Sequence, residues 1–367
     1  MNSEKHISIV TLGCSKNLVD SEVLMHQLQT AGYKVNHNPE KITRGTVIVN
    51  TCGFINDAKE ESIDTILDFA AARNNQDIQK LVVMGCLSQR YKPQLKAEMH
   101  EVDAFYGVAD LARILSDFKV DYKKDLFGER AVTTPGHYAY LKISEGCDRS
   151  CSFCAIPLIR GKHISKPIDE IISEARFLAS KGVKELMLIA QDLTYYGLDI
   201  YKKRALADLL RELIKVDGIE WIRLHYAYPA GFPDDLIEVI KSSSKICNYL
   251  DIPLQHISDP ILKSMRRGHS AEQTQNLIKR LRKEIPHIVL RTTMIVGYPG
   301  ETEGDFEMLK TFVEDSRFER MGVFTYSHEE DTSACKLDDD ITDEMKQSRL
   351  DELMAIQENI SMEINEK

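Results

Sequence analysis

The sequence predicts an α/β protein in two parts: an N-terminal parallel-sheet α/β domain followed by a partial (β/α)6 barrel. Three observations lead there. Short continuous apolar runs alternate with amphipathic helical segments, as expected of strands buried on both faces of a parallel sheet. The alternation has a tight repeat in the first third and a longer one from residue 139 onward. Between them KVDYKKDLFGERAVTTPGHY (119–138) loses apolar periodicity and carries Gly128, Pro135 and Gly136. The expected division is a domain over 1–120, a linker over 121–138, a barrel over 139–335 and a helical tail over 336–367. At 367 residues the chain exceeds one ordinary core.

In order, ISIVTLGC (7–14) is the first strand, and Asp20 and Ser21 offer caps for a helix with Leu24, Leu28 and Ala31 on one face. TVIVNTCG (46–53) repeats the theme, with Ile63, Ile66, Leu67 and Ala70 marking the next helix. LVVMGC (81–86) is the third run, and its helix admits Pro93 near the start, where a missing N–H costs little. AFYGV and DLARILSDF within 104–118 add a fourth strand and helix. Cys14, Cys52 and Cys86 all lie at the carboxyl end of such a strand, the edge at which open α/β sheets bind ligands. Three cysteines at the same position of three successive units should converge on one site and hold a cluster with three protein ligands, although any one alone would pass as an ordinary buried thiol. No Gly-x-Gly-x-x-Gly follows these strands, which argues against a dinucleotide site.

In the second part, strands are expected at 140–144, 185–191, 221–226, 249–255, 289–297 and 322–327. Pro167 starts a helix that Gly182 ends, Pro233 and Asp234 start another, and Pro260 and Ser270 start two more. Barrel enzymes work at the carboxyl ends of their strands. Those ends carry Gln191 and Asp192, His225 and Tyr226, Gln255 and His256, and Tyr326 and Ser327. The last segment, 342–364, places Leu350, Leu353, Met354, Ile356 and Ile360 at mainly helical spacing, after a solvated turn at Asp338, Asp339 and Asp340.

Residues 141–162, LKISEGCDRSCSFCAIPLIRGK, organise the chemistry. Cys147, Cys151 and Cys154 stand as Cys-x-x-x-Cys-x-x-Cys just after the first barrel strand. Three thiolates can hold three corners of a cubane iron-sulfur cluster and leave the fourth iron open, whereas four cysteines would close it. Structural zinc would instead need a fourth ligand from His163 or a distant Cys. Disulfides are not expected: no secretion signal or membrane-spanning run is present, and eight cysteines then point to a reducing cytoplasm. Cys247 and Cys335 have no clustered partner and read as structural thiols. The formal charge of −10 and pI near 5.6 disfavour a chain built to grip nucleic acid, though a local basic stripe stays open.

The cysteine loop resembles that of the radical S-adenosylmethionine (SAM) enzymes, in which the open iron takes the amino and carboxylate groups of SAM. With the three amino-terminal cysteines added, the whole chain resembles the methylthiotransferases. That family joins a domain binding an auxiliary 4Fe-4S cluster to a radical SAM barrel of the TIM type and ends in a β-rich TRAM domain, before which this chain stops. LGCSKNLVDSE (12–22), EGCD (145–148), SFC (152–154), RLHYAYP (223–229) and LQHISD (254–259) look like the RimO-type branch, which modifies an aspartate of small-subunit ribosomal protein twelve. The other branch acts on adenosine in transfer RNA. It typically has Asn at position 148, Thr-Tyr before the third cysteine, and Ser-Gly where Gln255-His256-Ile257 stands.

The resemblance implies that Cys147, Cys151 and Cys154 hold the cluster that cleaves SAM to a 5'-deoxyadenosyl radical, which takes hydrogen from the aspartate β-carbon. Cys14, Cys52 and Cys86 hold the auxiliary cluster carrying the sulfur, and a second SAM supplies the methyl group. It also implies an electron donor such as a flavodoxin or ferredoxin, and a substrate met free or on the ribosome, with no membrane. An acidic enzyme suits a basic ribosomal protein. Asp192, His225 and Gln255 are the candidate positioning groups. Phe153, Gln191, Gly297 and Gly300 are the candidate SAM contacts, with plain packing of Phe153 and a plain turn at Gly297–Gly300 as the alternatives. Arg160, Lys162, Arg266 and Arg267 are candidate carboxylate receivers or, as exposed bases usually are, solvated. A two-cluster electron carrier without catalysis is the reading from another class.

Overall fold

The computed structural model describes residues 5–42, 44–123 and 128–366. Two compact units are interleaved along the chain. One takes the chain up to Lys142 with Ile156–Gly161 and Ile168–Val183, and the other takes Ile143–Ala155, Lys162–Pro167 and Lys184–Lys367. Segments expected in the barrel region, 139–142, 156–161 and 168–183, therefore belong to the first unit.

The first unit begins β1 (His6–Thr11), α1 (Ser15–Thr30), β2 (Lys34–His37), β3 (Thr46–Thr51), α2 (Asn56–Asn74), β4 (Lys80–Gly85), α3 (Cys86–Glu98), β5 (Ala104–Phe105) and α4 (Leu111–Asp117). The sheet order is β2-β1-β3-β4-β5, with every pairing parallel. Alternate strand residues feed opposite faces. Ile48, Val82 and Met84 pack with Leu24 and Leu28 of α1, while Val47, Val49, Leu81 and Val83 pack with Ile66 and Ala70 of α2. This two-faced burial is why the strands read as continuous apolar runs. Edge strand β2 was not expected: only Val35 of its four residues is buried, so it leaves no apolar run to read.

Continuing, the chain forms β6 (Tyr138–Lys142), β7 (Ser144–Glu145), α5 (Ile156–Arg160), β8 (Ile164–Ser165), α6 (Ile168–Ser180), β9 (Glu185–Ile189), α7 (Leu206–Leu213), β10 (Trp221–Leu224), α8 (Asp234–Ser242) and β11 (Ile246–Asp251). It finishes with α9 (Asp259–Ser264), α10 (Ala271–Glu284), β12 (Val289–Val296), α11 (Glu303–Ser316), β13 (Arg320–Thr325) and α12 (Asp343–Asn365). The sheet of the second unit runs β13-β12-β11-β10-β9, the strands of a partial barrel, all paired in parallel. Capping boxes start two of its helices, Ser270 with Gln273 at α10 and Thr302 with Asp305 at α11. The short antiparallel pair β7–β8 flanks the cysteine loop and was not foreseen, since two residues per strand carry no periodicity.

The stretch read as a linker is held at Arg130 and Thr133. Glu22 of α1 accepts from Thr133 N and Oγ1 at 2.7 and 2.8 Å, and Arg130 pairs with Glu22 and, at 3.1 Å, with Glu174. Residues 124–127 of that stretch lie outside the described residues. The buried stripe of α12 is Lys346, Arg349, Leu353, Gln357 and Ile360, whereas Met354 faces solvent. Three of these five are polar, and each has a fixed partner. Lys346 pairs with Asp339, Arg349 with Glu301, and Gln357 Nε2 donates to Phe318 O. Asp340 likewise is not merely solvated, because its Oδ1 accepts from Gly300 N at 3.2 Å.

Candidate functional site

In the first unit Cys14 is the N-cap of α1, Cys52 follows β3, and Cys86 opens α3 directly after β4. Each has a glycine neighbour that lets a loop close in. A β-carbon on Gly13 would lie 2.9 Å from Cys52 Sγ, one on Gly53 would lie 2.7 Å from Leu87 Cα, and one on Gly85 would lie 2.6 Å from Thr51 O. Gly13 and Gly85 also need positive φ, at 81° and 99°, which side chains disfavour. Asn17, fully buried, ties the loops together: its Nδ2 donates to Leu12 O at 2.9 Å and to Thr51 O at 3.0 Å. Its Oδ1 accepts from the Cys86 thiol at 3.5 Å.

The three thiols lie within electrostatic range of one another. Burial pushes Cys52 up, hydrogen bonding from the Phe54 N–H pulls it back, and Cys14 adds to the rise. Burial pushes Cys86 up to about 12 against the pull of Arg160, with Cys14 and Cys52 adding to the rise. Arg160 is buried, and its Nη2 donates to Cys86 Sγ at 3.5 Å and to Asn17 Oδ1. Solvation, the default for a basic residue, is thus overturned here.

The second unit holds Cys147, Cys151 and Cys154 in the loop after β7. Arg149 N donates to Cys147 Sγ at 3.4 Å, and Cys154 N donates to Cys151 O at 3.2 Å. Burial pushes the Cys147 thiol up to about 11; the Arg149 N–H opposes this, and Asp192 and Cys151 add to it. Arg267 is buried, with Nη1 donating to Cys151 Sγ at 3.2 Å. Tyr228 has two guanidinium groups against its ring, Arg149 at 4.0 Å and Arg267 at 4.3 Å from the ring centre. Its hydroxyl donates to Arg267 O at 2.6 Å and stands 3.8 Å from Cys151 Sγ. Of the other bases, Lys162 is exposed, and Arg266 Nη1 donates to Ser333 Oγ.

Asp192 is buried and fully engaged: Oδ1 accepts from Thr194 N and Oγ1, and Oδ2 accepts from Arg149 Nε at 2.8 Å. It anchors the cysteine loop. His225 Nδ1 is 3.8 Å from Asp251 Oδ2, and its ring lies against Tyr249. Gln191 Nε2 donates to Glu145 Oε1 at 2.9 Å. Tyr226 and Gln255 have φ of +67° and +76°, a strain for non-glycine residues that often marks functional loops. Phe153 packs with Ile261, Met265, Tyr298 and Tyr326, so it fastens the loop onto the barrel. Gly297 is covered: a β-carbon there would lie 2.3 Å from Lys346 Cγ, while Gly300 has nothing within 4 Å. A groove of about 460 Å³ lined by Arg320, Met354 and Glu358 holds none of the cysteines.

The chemistry of each trio suits a cluster: each offers three thiols and one buried guanidinium donating to one of its sulfurs, an outer-shell contact of the kind that tunes metal ligands. In the second unit, Arg149 Nη2 and Arg267 Nε are buried donors without an acceptor among the described residues. At the strand ends, Gln191 Oε1, His225 Nε2, Asp251 Oδ1 and Gln255 Oε1 are likewise buried and unpartnered. Each such atom costs about 1–3 kcal/mol, which a polar ligand would offset. No three His, Cys, Asp or Glu among the described residues converge tightly enough for a single ion. A cubane spreads its ligands over separate irons and does not demand that. No helix is long and apolar enough to cross a membrane among the described residues.

The Radical SAM superfamily model matches residues 141–313, and the Uncharacterized protein family UPF0004 model matches 6–107. The former brings SAM and a 4Fe-4S cluster as its working pair. Among solved structures, a radical SAM methyltransferase (TsrM) from Kitasatospora setae matches at a TM-score of 0.63 and 13% identity, covering 88% of this chain and 72% of that one. A cobalamin-dependent SAM radical enzyme, OxsB, matches at 0.58 and 13% identity, covering 98% of this chain and 56% of that one. These share the fold. Much higher identity is found with curated relatives named ribosomal protein uS12 methylthiotransferase RimO. The one from Christiangramia forsetii is 57% identical over 364 residues, covering 99% of this chain and 80% of the relative. Those from Cytophaga hutchinsonii and Bacteroides fragilis are 56% and 57% identical, each with 84% of the relative covered. With that identity over nearly the whole chain, the chain belongs to the ribosomal protein uS12 methylthiotransferase (RimO) family.

Proposed function

We propose that this chain places a methylthio group on the β-carbon of an aspartate in ribosomal protein uS12, with one SAM as radical source and a second as methyl donor. The observation that carries this reading is 57% identity over 364 residues to a relative named for acting on that protein. Cys147, Cys151 and Cys154 would hold the cluster that binds SAM, and Cys14, Cys52 and Cys86 a second 4Fe-4S cluster. When bound, the first supplies the electron for SAM cleavage and the second carries the sulfur to be transferred.

The chain's own residues do the rest. Asp192 holds Arg149, and so the turn between Cys147 and Cys151. Arg267 places positive charge on Cys151, offsetting the charge of the ligated loop. The unpartnered atoms of Gln191, His225 and Gln255 are available to orient polar groups of SAM or of the target side chain. Burial around them excludes water, which a carbon radical requires. A low-potential donor such as a flavodoxin or ferredoxin supplies electrons, and the site of action is the cytoplasm, where uS12 is made and assembled.

Mass analysis of uS12 and of transfer RNA from a deletion strain tests the substrate: uS12 should lose one methylthio group, and loss from transfer RNA alone would reject the assignment. Reduced, reconstituted protein should make 5'-deoxyadenosine from SAM. Protein that makes none is an electron carrier and no transferase. Substituting Cys14, Cys52 or Cys86 should remove one of two cubanes by iron and sulfide counting.

A further inference from the structure

We infer that Arg160 is a positioning residue of the amino-terminal trio, holding the Cys86 sulfur and raising the reduction potential of the cluster there. This rests on the reading that Cys14, Cys52 and Cys86 ligate that cluster.

Arg160 closes α5, the short helix that follows Cys154 in sequence, and its side chain is only 2% exposed. A guanidinium so buried is costly unless its donors and its charge are met. Its donors are met by Asp20 Oδ2 at 3.1 Å, Asn17 Oδ1 and Cys86 Sγ at 3.5 Å. Asp20 also pairs with Lys142, and a cluster-bound Cys86 thiolate would set further negative charge directly against the guanidinium.

The geometry is also fixed from the other side. Asn17 holds the guanidinium through Oδ1 while its Nδ2 spans Leu12 O and Thr51 O, the backbone leading to Cys14 and to Cys52. One fork therefore registers Cys86 against both other ligands. Hydrogen bonds to ligand sulfur and nearby positive charge favour the reduced, more negative cluster, which is the basis for a raised potential. Lysine would keep the charge but lose the fork.

The test uses full-length protein with Cys147, Cys151 and Cys154 all changed to Ala, so that any cluster must sit on the amino-terminal trio. After anaerobic reconstitution, iron and sulfide are counted, and the midpoint potential is read by EPR-monitored titration. With Arg160→Gln the potential should move to a more negative value, and with Arg160→Lys it should lie between that value and the parent's. With Asp20→Asn, which frees the Arg160 charge, it should move to a more positive value. Equal potentials in the parent and Arg160→Gln, at equal iron content, overturn the inference alone. If Arg160→Gln fails to hold iron, Asp20→Asn decides, and an unshifted potential there overturns it. A parent that binds no iron defeats the ligand assignment itself and the inference with it.

Discussion

Gly13 and Cys52 approach so closely that a methyl group on Gly13 would lie 2.7 Å from the Cys52 β-carbon and 2.9 Å from its sulfur. The loop after β1 reaches the cysteine after β3 only because residue 13 has no side chain. Gly13→Ala should therefore cost about 1–2 kcal/mol for its left-handed backbone and a further ~1–3 kcal/mol for overpacking. Iron content should fall from two clusters toward one. Gly32→Ala is the control. Its φ is +88°, yet nothing lies within 4 Å of its added carbon, so it should lose stability and keep its iron.

Asp192 Oδ2 accepts from Arg149 Nε at 2.8 Å and sets a carboxylate against that guanidinium. Asp192→Asn keeps an oxygen for the Thr194 cap but removes the charge that holds the cysteine loop. Outer-shell changes of this kind typically cost about 10–100-fold in metal affinity or activity. 5'-Deoxyadenosine formation should drop within that range while iron on the amino-terminal trio is retained. An unchanged rate would make Asp192 a simple turn former.

Arg349 of α12 donates to Glu301 Oε1 at 2.8 Å, and the Glu301 side chain is 0% exposed. Glu301 Oε2 in turn accepts from Gly297 N at 2.9 Å, linking the terminal helix to the turn after β12. Arg349→Met should lower stability in urea by about 3–5 kcal/mol, because it takes the guanidinium from a buried carboxylate that keeps the Gly297 N–H and His256, 3.6 Å away. Adding Glu301→Gln should restore part of the loss. Additive losses in the double variant would exclude coupling.

Burial holds His269 to about 4, below its ordinary 6.5, and the charge of Arg267 adds to the effect. Because the folded pKa lies below the unfolded one, the unfolded chain takes up the proton first as pH falls. Stability from this group is complete above about 6.5 and is lost between there and 4. The slope can approach about 1.4 kcal/mol per pH unit. His269→Gln should flatten the fall in unfolding midpoint between pH 6.5 and 4; parallel curves would remove His269 from the account.

The sequence by itself determined the strand and helix order and the placing of Cys14, Cys52 and Cys86 at three strand ends. Those signals are local: a buried strand is a short apolar run, and a loop cysteine follows it directly. Elements with too little local signal escaped it, such as β2 with its single buried Val35. Only the tertiary structure decided which charges matter. Arg160 and Arg267 look like Lys162 and Arg266 in a list of basic residues, yet the first two are buried against cysteine sulfur and the others are exposed. Lys346 covers Gly297 from α12, a helix that begins 46 residues after Gly297. The reason is that a side chain's burial depends on what distant segments bring to it, and no spacing along the chain encodes that.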